Sequence, residues 1–423
     1  MNMTSEQQTT VYIYLSGEGY VPAGILKFFP RENRSQFRYG NRYLLRPNAI
    51  PIDPVRLPLM EGVFNTTPRQ ALFNAFKDAA PDRWGRIVLS LVLGKDADAL
   101  TDFHALTALA PHHRLGALAF GPDPVSGPAS GIAAPENIKL LDQKDNLKII
   151  GDYVRMVDKI SDDDVDHIKE SLPVNDLFQI FIPSLSPAGG ARPKALVAYD
   201  GTEWIAKFPK RGDFWDEAVI EHACMTLAAR CGVNVAQTRV VEHEGINILL
   251  VKRFDKSRDG EPLHVISGFT LNDWMEDQEW GSYQSMAESA RRYGAVNSGA
   301  QIFRRMVVNI CCANSDDHPK NHAFFVQRDH IALTPAYDIV PCRFEHNAYN
   351  LALGVGKQGR AATLENALSN VPAFGLTPSE ARAVLTEITD TFSDWKPHFK
   401  QCGVQPKDLT RISRVFQHIR TRA

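Results

Sequence analysis

The feature that most constrains this chain is a junction. A run with Ile302, Phe303, Met306, Val307 and Ile310 at helical spacing ends in Cys311-Cys312 and passes straight into "NSDDHPKNH", residues 314–322. Those nine positions hold two acids, two histidines, a lysine and two asparagines before the chain turns apolar again. Whatever the fold, it has to carry a loop of this character at the end of a buried helix. Three readings stand side by side. His318 and His322 are four apart, which on a helix would put both rings on one face, as in zinc hydrolases. Pro319 between them opposes a helix, however, and the Glu of H-E-x-x-H is absent. A polar loop without chemistry is the plain alternative, since Asp and Asn are common in loops. The third reading is a phosphoryl-transfer loop.

That third reading rests on spacing. In protein kinases D-x-x-x-x-N separates the Asp that accepts the substrate hydroxyl proton from the Asn that binds Mg²⁺. Asp316 and Asn321 have that spacing, with Lys320 between them. A hairpin is expected at about 323–326 and 330–333, and Asp338 in "AYDIV" follows where a second metal-binding acid would stand. Upstream parts agree. "AGGARPK" offers a Gly-Gly turn whose backbone can approach phosphates. It precedes two strands, Lys194–Tyr199 and Trp204–Phe208, joined at Asp200-Gly201, a strong hairpin signal. The second strand carries Lys207 among apolar residues. Such a lysine can simply snorkel to solvent, but its place is also that of a phosphate-binding lysine. A helix over roughly 215–230 then offers Glu217 and Glu221 as ion-pair partners, with Glu221 preferred. The strand "INILLVKRFD" (246–255) falls where a hinge would run, so backbone groups of Lys252, Arg253 and Phe254 could meet an adenine edge.

The rest of the chain narrows the class. The N-terminal "VYIYLSGEGYVPAGILKFF" reads as a hairpin, "FRYGNRYLL" as a strand, and 67–94 as helix interrupted near Pro81. Residues 121–136, rich in Gly, Pro, Ser and Ala, are the best linker candidate. Residues 137–182 look helical, and "SDDDVD" (161–166) lacks the Gly and Glu of a calcium loop. Two helices are expected at 284–296 and 300–312, and a mostly helical tail after residue 340. A net charge of −2 argues against a nucleic-acid footprint over the whole chain. The six cysteines form no C-x-x-C pair, as expected for reduced thiols. The polar start "MNMTSEQQTT" and the absence of a long apolar run lead to an expectation of a cytoplasmic protein without membrane contact.

Together, "GGARPKA" (189–195), "AKFP" (206–209), "RFD" (253–255), "NSDDHPKN" (314–321) and "LTPAYDIV" (333–340) resemble the HipA family of bacterial serine/threonine kinase toxins of toxin–antitoxin modules. "FRYGNRYLL", "LPL" and "PDRWGR" resemble its small N-terminal subdomain, so the likeness covers nearly the whole chain. The resemblance implies an α+β, protein-kinase-like two-lobed fold. Its parts would be an N-terminal α+β subdomain (1–135), a nucleotide-binding lobe (136–255) and a mostly helical catalytic lobe (256–423). It implies Asp316 as base and Asn321 and Asp338 on Mg²⁺. It implies Lys207 on the phosphates of ATP and Gly189, Gly190, Ala191, Arg192 and Lys194 in the nucleotide loop. His318 and Lys320 would contact nucleotide or hold the catalytic loop. It further implies phosphorylation of a protein such as an aminoacyl-tRNA synthetase. A HipB-like helix-turn-helix antitoxin would be the partner, with any DNA contact made through it. A kinase-fold scaffold or transcriptional co-regulator that binds the antitoxin is the alternative. Family members can autophosphorylate a serine beside the Gly-rich loop. Ser184 and Ser186 are the candidates here, with Pro187 nearest the family's position. Asp317 stands where a small residue is often found. It could bind metal or raise the pKa of Asp316, and the plainer expectation is that it points to solvent.

Overall fold

The computed structural model describes residues 6–81, 83–93, 99–129, 192–210, 212–276, 278–343 and 349–416. These residues divide between two compact units. The first takes in the chain up to Lys210, then Arg253–Ile266 and Phe325–Arg328; the second takes in Arg211–Lys252, Ser267–Phe324 and Asp329 onward. The units are discontinuous, whereas the sequence reading divided the chain into consecutive segments.

The first unit opens on the expected hairpin, β1 (Gln7–Leu15) and β2 (Gly19–Phe29), with an irregularity in register between Val11 and Tyr12. Burial alternates along much of β2, setting one face inward, whereas β1, between β2 and β5, is buried without a break from Thr9 to Ile13. β3 (Arg34–Tyr39) pairs with β2, and Gly24 permits this: a Cβ there would stand 2.3 Å from the Arg38 carbonyl oxygen. The segment "FRYGNRYLL" is not one strand. β3 ends at Tyr39, and α1 (Asn41–Leu44) follows Gly40 at once, so Tyr43 stacks on Tyr39 with centroids 5.7 Å apart. β4 (Phe64–Asn65), α2 (Asn74–Asp78), α3 (Arg83–Leu93), α4 (Asp102–Ala108) and β5 (Leu118–Gly121) complete the N-terminal part. Its sheet order is β4-β3-β2-β1-β5. Phe37, Phe76 and Phe120 form the ring core, at 5.6 and 6.0 Å. Arg114 is wholly buried. It donates to the carbonyls of Ala79, Leu106 and Leu109 at the ends of α2 and α4, where the helix dipoles favour a cation.

β6 (Lys194–Tyr199) and β7 (Thr202–Lys207) form the second expected hairpin, closed by Asp200 and Gly201 at positive φ of 49° and 67°. The returning segment Arg253–Ile266 is held by a buried ion pair. The Arg253 guanidinium donates to both Asp255 oxygens at 3.0 and 2.6 Å and to Glu203 Oε2 at 2.7 Å, and the Gly116 N–H donates to Asp255 Oδ2 at 2.8 Å. Phe325–Arg328 is fixed by the Val326 N–H on the His264 carbonyl and by Arg328 Nη1 on the carbonyls of Arg46 and Pro47, each at 2.9 Å.

The second unit begins with α5 (Glu217–Arg230), capped by Asp216, whose Oδ1 accepts the Val219 N–H at 3.2 Å. Gly232 past its end has φ 72°. β8 (Thr238–His243) pairs antiparallel with β9 (Ile246–Lys252). The short β10 (Val265–Ser267) leads into α6 (Gly268–Leu271). The two predicted helices are α7 (Tyr283–Arg292), with a Ser282–Ser285 capping box, and α8 (Ser298–Cys312). The expected hairpin is β11 (Ala323–Val326) and β12 (Ile331–Leu333). The tail carries α9 (Leu364–Leu368), α10 (Pro378–Ser393), α11 (Trp395–Gln401) and α12 (Pro406–Val415). Among the described residues, no helix is long and apolar enough to cross a membrane. The linker candidate at 121–136 is described only to residue 129. The helical reading of 137–182, with "SDDDVD", lies outside the described residues.

Candidate active site

The loop 314–322 leaves α8 through Ala313, at φ 56°, a left-handed end that turns the chain sharply. Pro319 does not continue a helix; it opens a single 3-10 turn, Pro319–Asn321. His318 and His322 therefore do not share a helix face. Among the described residues, no group of three or more His, Cys, Asp or Glu side chains is arranged to hold a metal ion.

Within the turn, Asn321 is buried, and its Nδ2 donates to the Asp316 carbonyl oxygen at 2.9 Å. Its Oδ1 accepts no hydrogen bond among the described residues. The Asp316 side chain is exposed. The protein around it raises its pKa, His318 opposes the rise, and the Asp338 carboxylate adds to it. Asp316 and Asp338 are thus electrostatic neighbours. Asp338 sits in the left-handed region at φ 61°, an uncommon conformation for a residue with a Cβ. Its carbonyl oxygen accepts from Asn314 Nδ2 at 3.3 Å. The Tyr337 hydroxyl donates to the Lys320 carbonyl oxygen at 2.8 Å. Lys320 Nζ reaches Glu276 at 3.2 Å, an exposed pair of little energetic weight. His318 stands edge-on to Trp280, with centroids 6.3 Å apart. His322 is buried against Tyr283 at 5.4 Å, and burial pushes its imidazole down to about 3, so it stays neutral.

Asp317 departs from the expectation of a solvent-facing side chain. It is 1% exposed. Its Oδ2 accepts the Tyr283 hydroxyl at 2.5 Å and its Oδ1 the Ala352 N–H at 2.6 Å. Asp316 thus faces out and Asp317 in. Burial pushes the Asp317 carboxyl up to about 6, against the pull of those two donors. Tyr283 and Asn309, which extend this network, have no place in the sequence expectations, and Asn314 enters them only as the first residue of "NSDDHPKN", without a role. The signal for one was there: Asn309 is a polar residue inside the apolar run "VVNICC".

The remaining predicted residues belong to other segments of the chain. Lys194 and Lys207 belong to the first unit and stand directly opposite one another in the β6–β7 register. Lys194 is buried and Lys207 half-buried. Arg192 is described just before β6, whereas Gly189, Gly190, Ala191, Ser184 and Ser186 lie outside the described residues. Glu221 is buried in α5 of the second unit. At the predicted hinge, the Lys252 N–H donates to the Gln237 carbonyl at 2.8 Å and the Arg253 N–H to the Glu203 carbonyl at 3.2 Å. The Arg253 side chain is committed to Asp255.

The chain is similar in part to known proteins. The HipA-like C-terminal domain matches residues 186–395. The chain is 27% identical, over 193 residues, to the serine/threonine-protein kinase toxin HipA of Shewanella oneidensis. That stretch is 37% of this chain and 43% of the relative, so the likeness spans less than half of the curated relative's length. Among solved structures, the toxin–antitoxin complex of HipA, HipB and operator DNA from S. oneidensis MR-1 contains a chain of the same fold. It has a TM-score of 0.67 and 19% identity, and the match covers 98% of this chain and 96% of that one. The Helicobacter pylori proinflammatory kinase CtkA matches with a TM-score of 0.39 and 12% identity, over 54% of this chain and 93% of its own. The expected α+β fold of HipA type is therefore present. Residues 186–395 match the HipA-like C-terminal domain, and the chain as a whole has the fold of the HipA chain in that complex.

Proposed function

We propose that this protein is an ATP- and Mg²⁺-dependent serine/threonine protein kinase, the toxin of a toxin–antitoxin module. Its substrate class is a translation-related protein such as an aminoacyl-tRNA synthetase, whose phosphorylation slows growth. A HipB-like helix-turn-helix protein is the proposed antitoxin. The observation that carries this reading is the loop itself. Asn321 holds the backbone of Asp316 with its amino group, which leaves its amide oxygen for a cation, while Asp338 lies close enough to Asp316 to shift its titration.

In this reading Asp316 accepts the proton of the substrate hydroxyl. Its raised pKa suits a group that takes up a proton. Asn321 Oδ1 and the Asp338 carboxylate hold Mg²⁺. The fit is chemical: a Mg²⁺ that arrives with a nucleotide needs only one or two oxygen ligands from the protein. When bound, the ion neutralises charge on the phosphates. Lys207, Lys194 and Arg192 are the proposed cationic contacts to the phosphates. The Gly189–Ala191 turn would supply backbone N–H groups. The N–H groups of Lys252 and Arg253 are engaged, so an adenine edge there would meet their carbonyl oxygens or the backbone of Phe254. Ser184 or Ser186 would be the autophosphorylation site.

The test is Asp316→Asn. ATP turnover and transfer of labelled γ-phosphate to protein should vanish, while ATP–Mg²⁺ still raises the melting temperature. Undiminished turnover removes Asp316 as the base. A wild-type chain with no ATP-dependent shift in melting temperature would favour a scaffold that acts by binding the antitoxin.

A further inference from the structure

The hydrogen bonds beneath the candidate catalytic loop run in one direction. Asn314 Nδ2 donates to Asn309 Oδ1 at 3.1 Å, Asn309 Nδ2 donates to the Tyr283 hydroxyl oxygen at 2.8 Å, and that hydroxyl donates to Asp317 Oδ2 at 2.5 Å. Every donor points toward Asp317, and a carboxylate, which only accepts, is the natural end of such a chain. The other end is anchored as well, because Asn314 Nδ2 also reaches the Asp338 carbonyl oxygen at 3.3 Å. One chain of side chains therefore joins the residue beside Asp316 to the backbone of Asp338. The members come from α7, α8 and the loop, and the Ala352 N–H at 2.6 Å adds a fourth segment.

We propose that Asp317 is a positioning residue: its buried carboxylate, gripped by Tyr283 and the Ala352 N–H, fixes the loop backbone that presents Asp316 and keeps it in register with Asp338. This rests on the reading of Asp316 as the base of a phosphoryl transfer. Both oxygens of Asp317 are engaged within the protein, which leaves them out of metal binding and out of contact with substrate. Burying a carboxylate is costly unless its lone pairs are filled, and here both oxygens have a donor. A loop needing only solubility would turn this acid outward. The inward turn acts on the base through geometry, where small misplacements of a reacting group are expensive in rate.

The experiment compares Asp317→Asn, Tyr283→Phe and their double variant with the full-length wild type, measuring kcat and KM for ATP–Mg²⁺ in phosphoryl transfer. Asn at 317 presents an amino group to a network whose donors already point at it. Phe at 283 removes the hydroxyl link and leaves the fold's apolar packing in place. Each single variant should lower kcat by about 10- to 100-fold with KM for ATP within about twofold of wild type. The double variant should fall no further than the worse single one, since both cut the same chain. Unchanged kcat in either folded single variant overturns the proposal, as does a loss that appears only as raised KM in step with a lower melting temperature. If Asp317→Asn does not fold, Tyr283→Phe carries the same decision. A wild type without turnover overturns the kinase reading and this proposal together; a wild type that turns over beside unaffected variants overturns this proposal alone.

Discussion

Asn321 donates through Nδ2 to the carbonyl oxygen of Asp316, five residues earlier, at 2.9 Å. The proposed metal-binding residue thus also splints the proposed base. Asn321→Asp is isosteric but sets an acceptor against that carbonyl. It should abolish phosphoryl transfer and cost about 1 kcal/mol of stability through the lost hydrogen bond, read from urea midpoints. Phosphoryl transfer by this variant near the wild-type level would show that the splint is dispensable.

Asp338 offers a separation of backbone from side chain. At φ 61° a β-carbon costs roughly 1 kcal/mol that glycine does not incur. Asp338→Gly should therefore be more stable than Asp338→Ala by about that amount, while both lose ATP turnover. Equal stabilities in thermal or urea unfolding would show that the conformation carries no strain.

Breaking the buried pair in the first unit should be severe. Burial pushes the Asp255 carboxyl up, but Arg253 beside it and the Gly116 N–H outweigh burial and hold it below the ordinary carboxylate value. Arg253→Met leaves that carboxylate without its cation and should cost about 3–5 kcal/mol. Adding Asp255→Asn should recover part of the loss. A double variant worse than the single one would contradict this account.

Acid should unfold the protein partly through its buried histidines. His264 Nε2 lies 2.8 Å from the Ile52 carbonyl oxygen, and burial pushes its pKa down from 6.5 to about 4. The folded state therefore keeps it neutral after the unfolded chain would have taken a proton. Its contribution is complete above pH 6.5 and is lost as pH falls from there toward 4, by about 3 kcal/mol in all. His264→Gln should flatten that part of the stability–pH curve. His113 and His322, both pushed to about 3, extend the decline to lower pH.

The parts of the site that could be read from sequence are those fixed by short-range chemistry. Asp200-Gly201 dictates its own turn, and the Asp316–Asn321 spacing fits a loop that closes on itself through one hydrogen bond. Asp317 is different. Which of two adjacent acids turns inward is decided by Tyr283 and Ala352, 34 and 35 residues away, and no local pattern encodes that choice. The same holds for "FRYGNRYLL", where stacking of Tyr43 on Tyr39 draws the second half into a helical turn. β8 has no such local pattern: its residues are half-buried or exposed, and its case for being a strand is its pairing with β9.

The discontinuity of the first unit bears on how the chain is born. Its sheet could form as soon as β5 leaves the ribosome, yet Arg253, Asp255, His264 and Arg328, which lock it, are encoded far downstream. At roughly 5–20 residues per second, the interval between Lys210 and Arg328 is on the order of ten seconds. During that time the nascent N-terminal portion stands incomplete, with the Gly116 N–H awaiting its acceptor and Glu203 awaiting its guanidinium. Truncations that end before Arg328 should therefore behave as unfinished translation products rather than as a smaller stable domain.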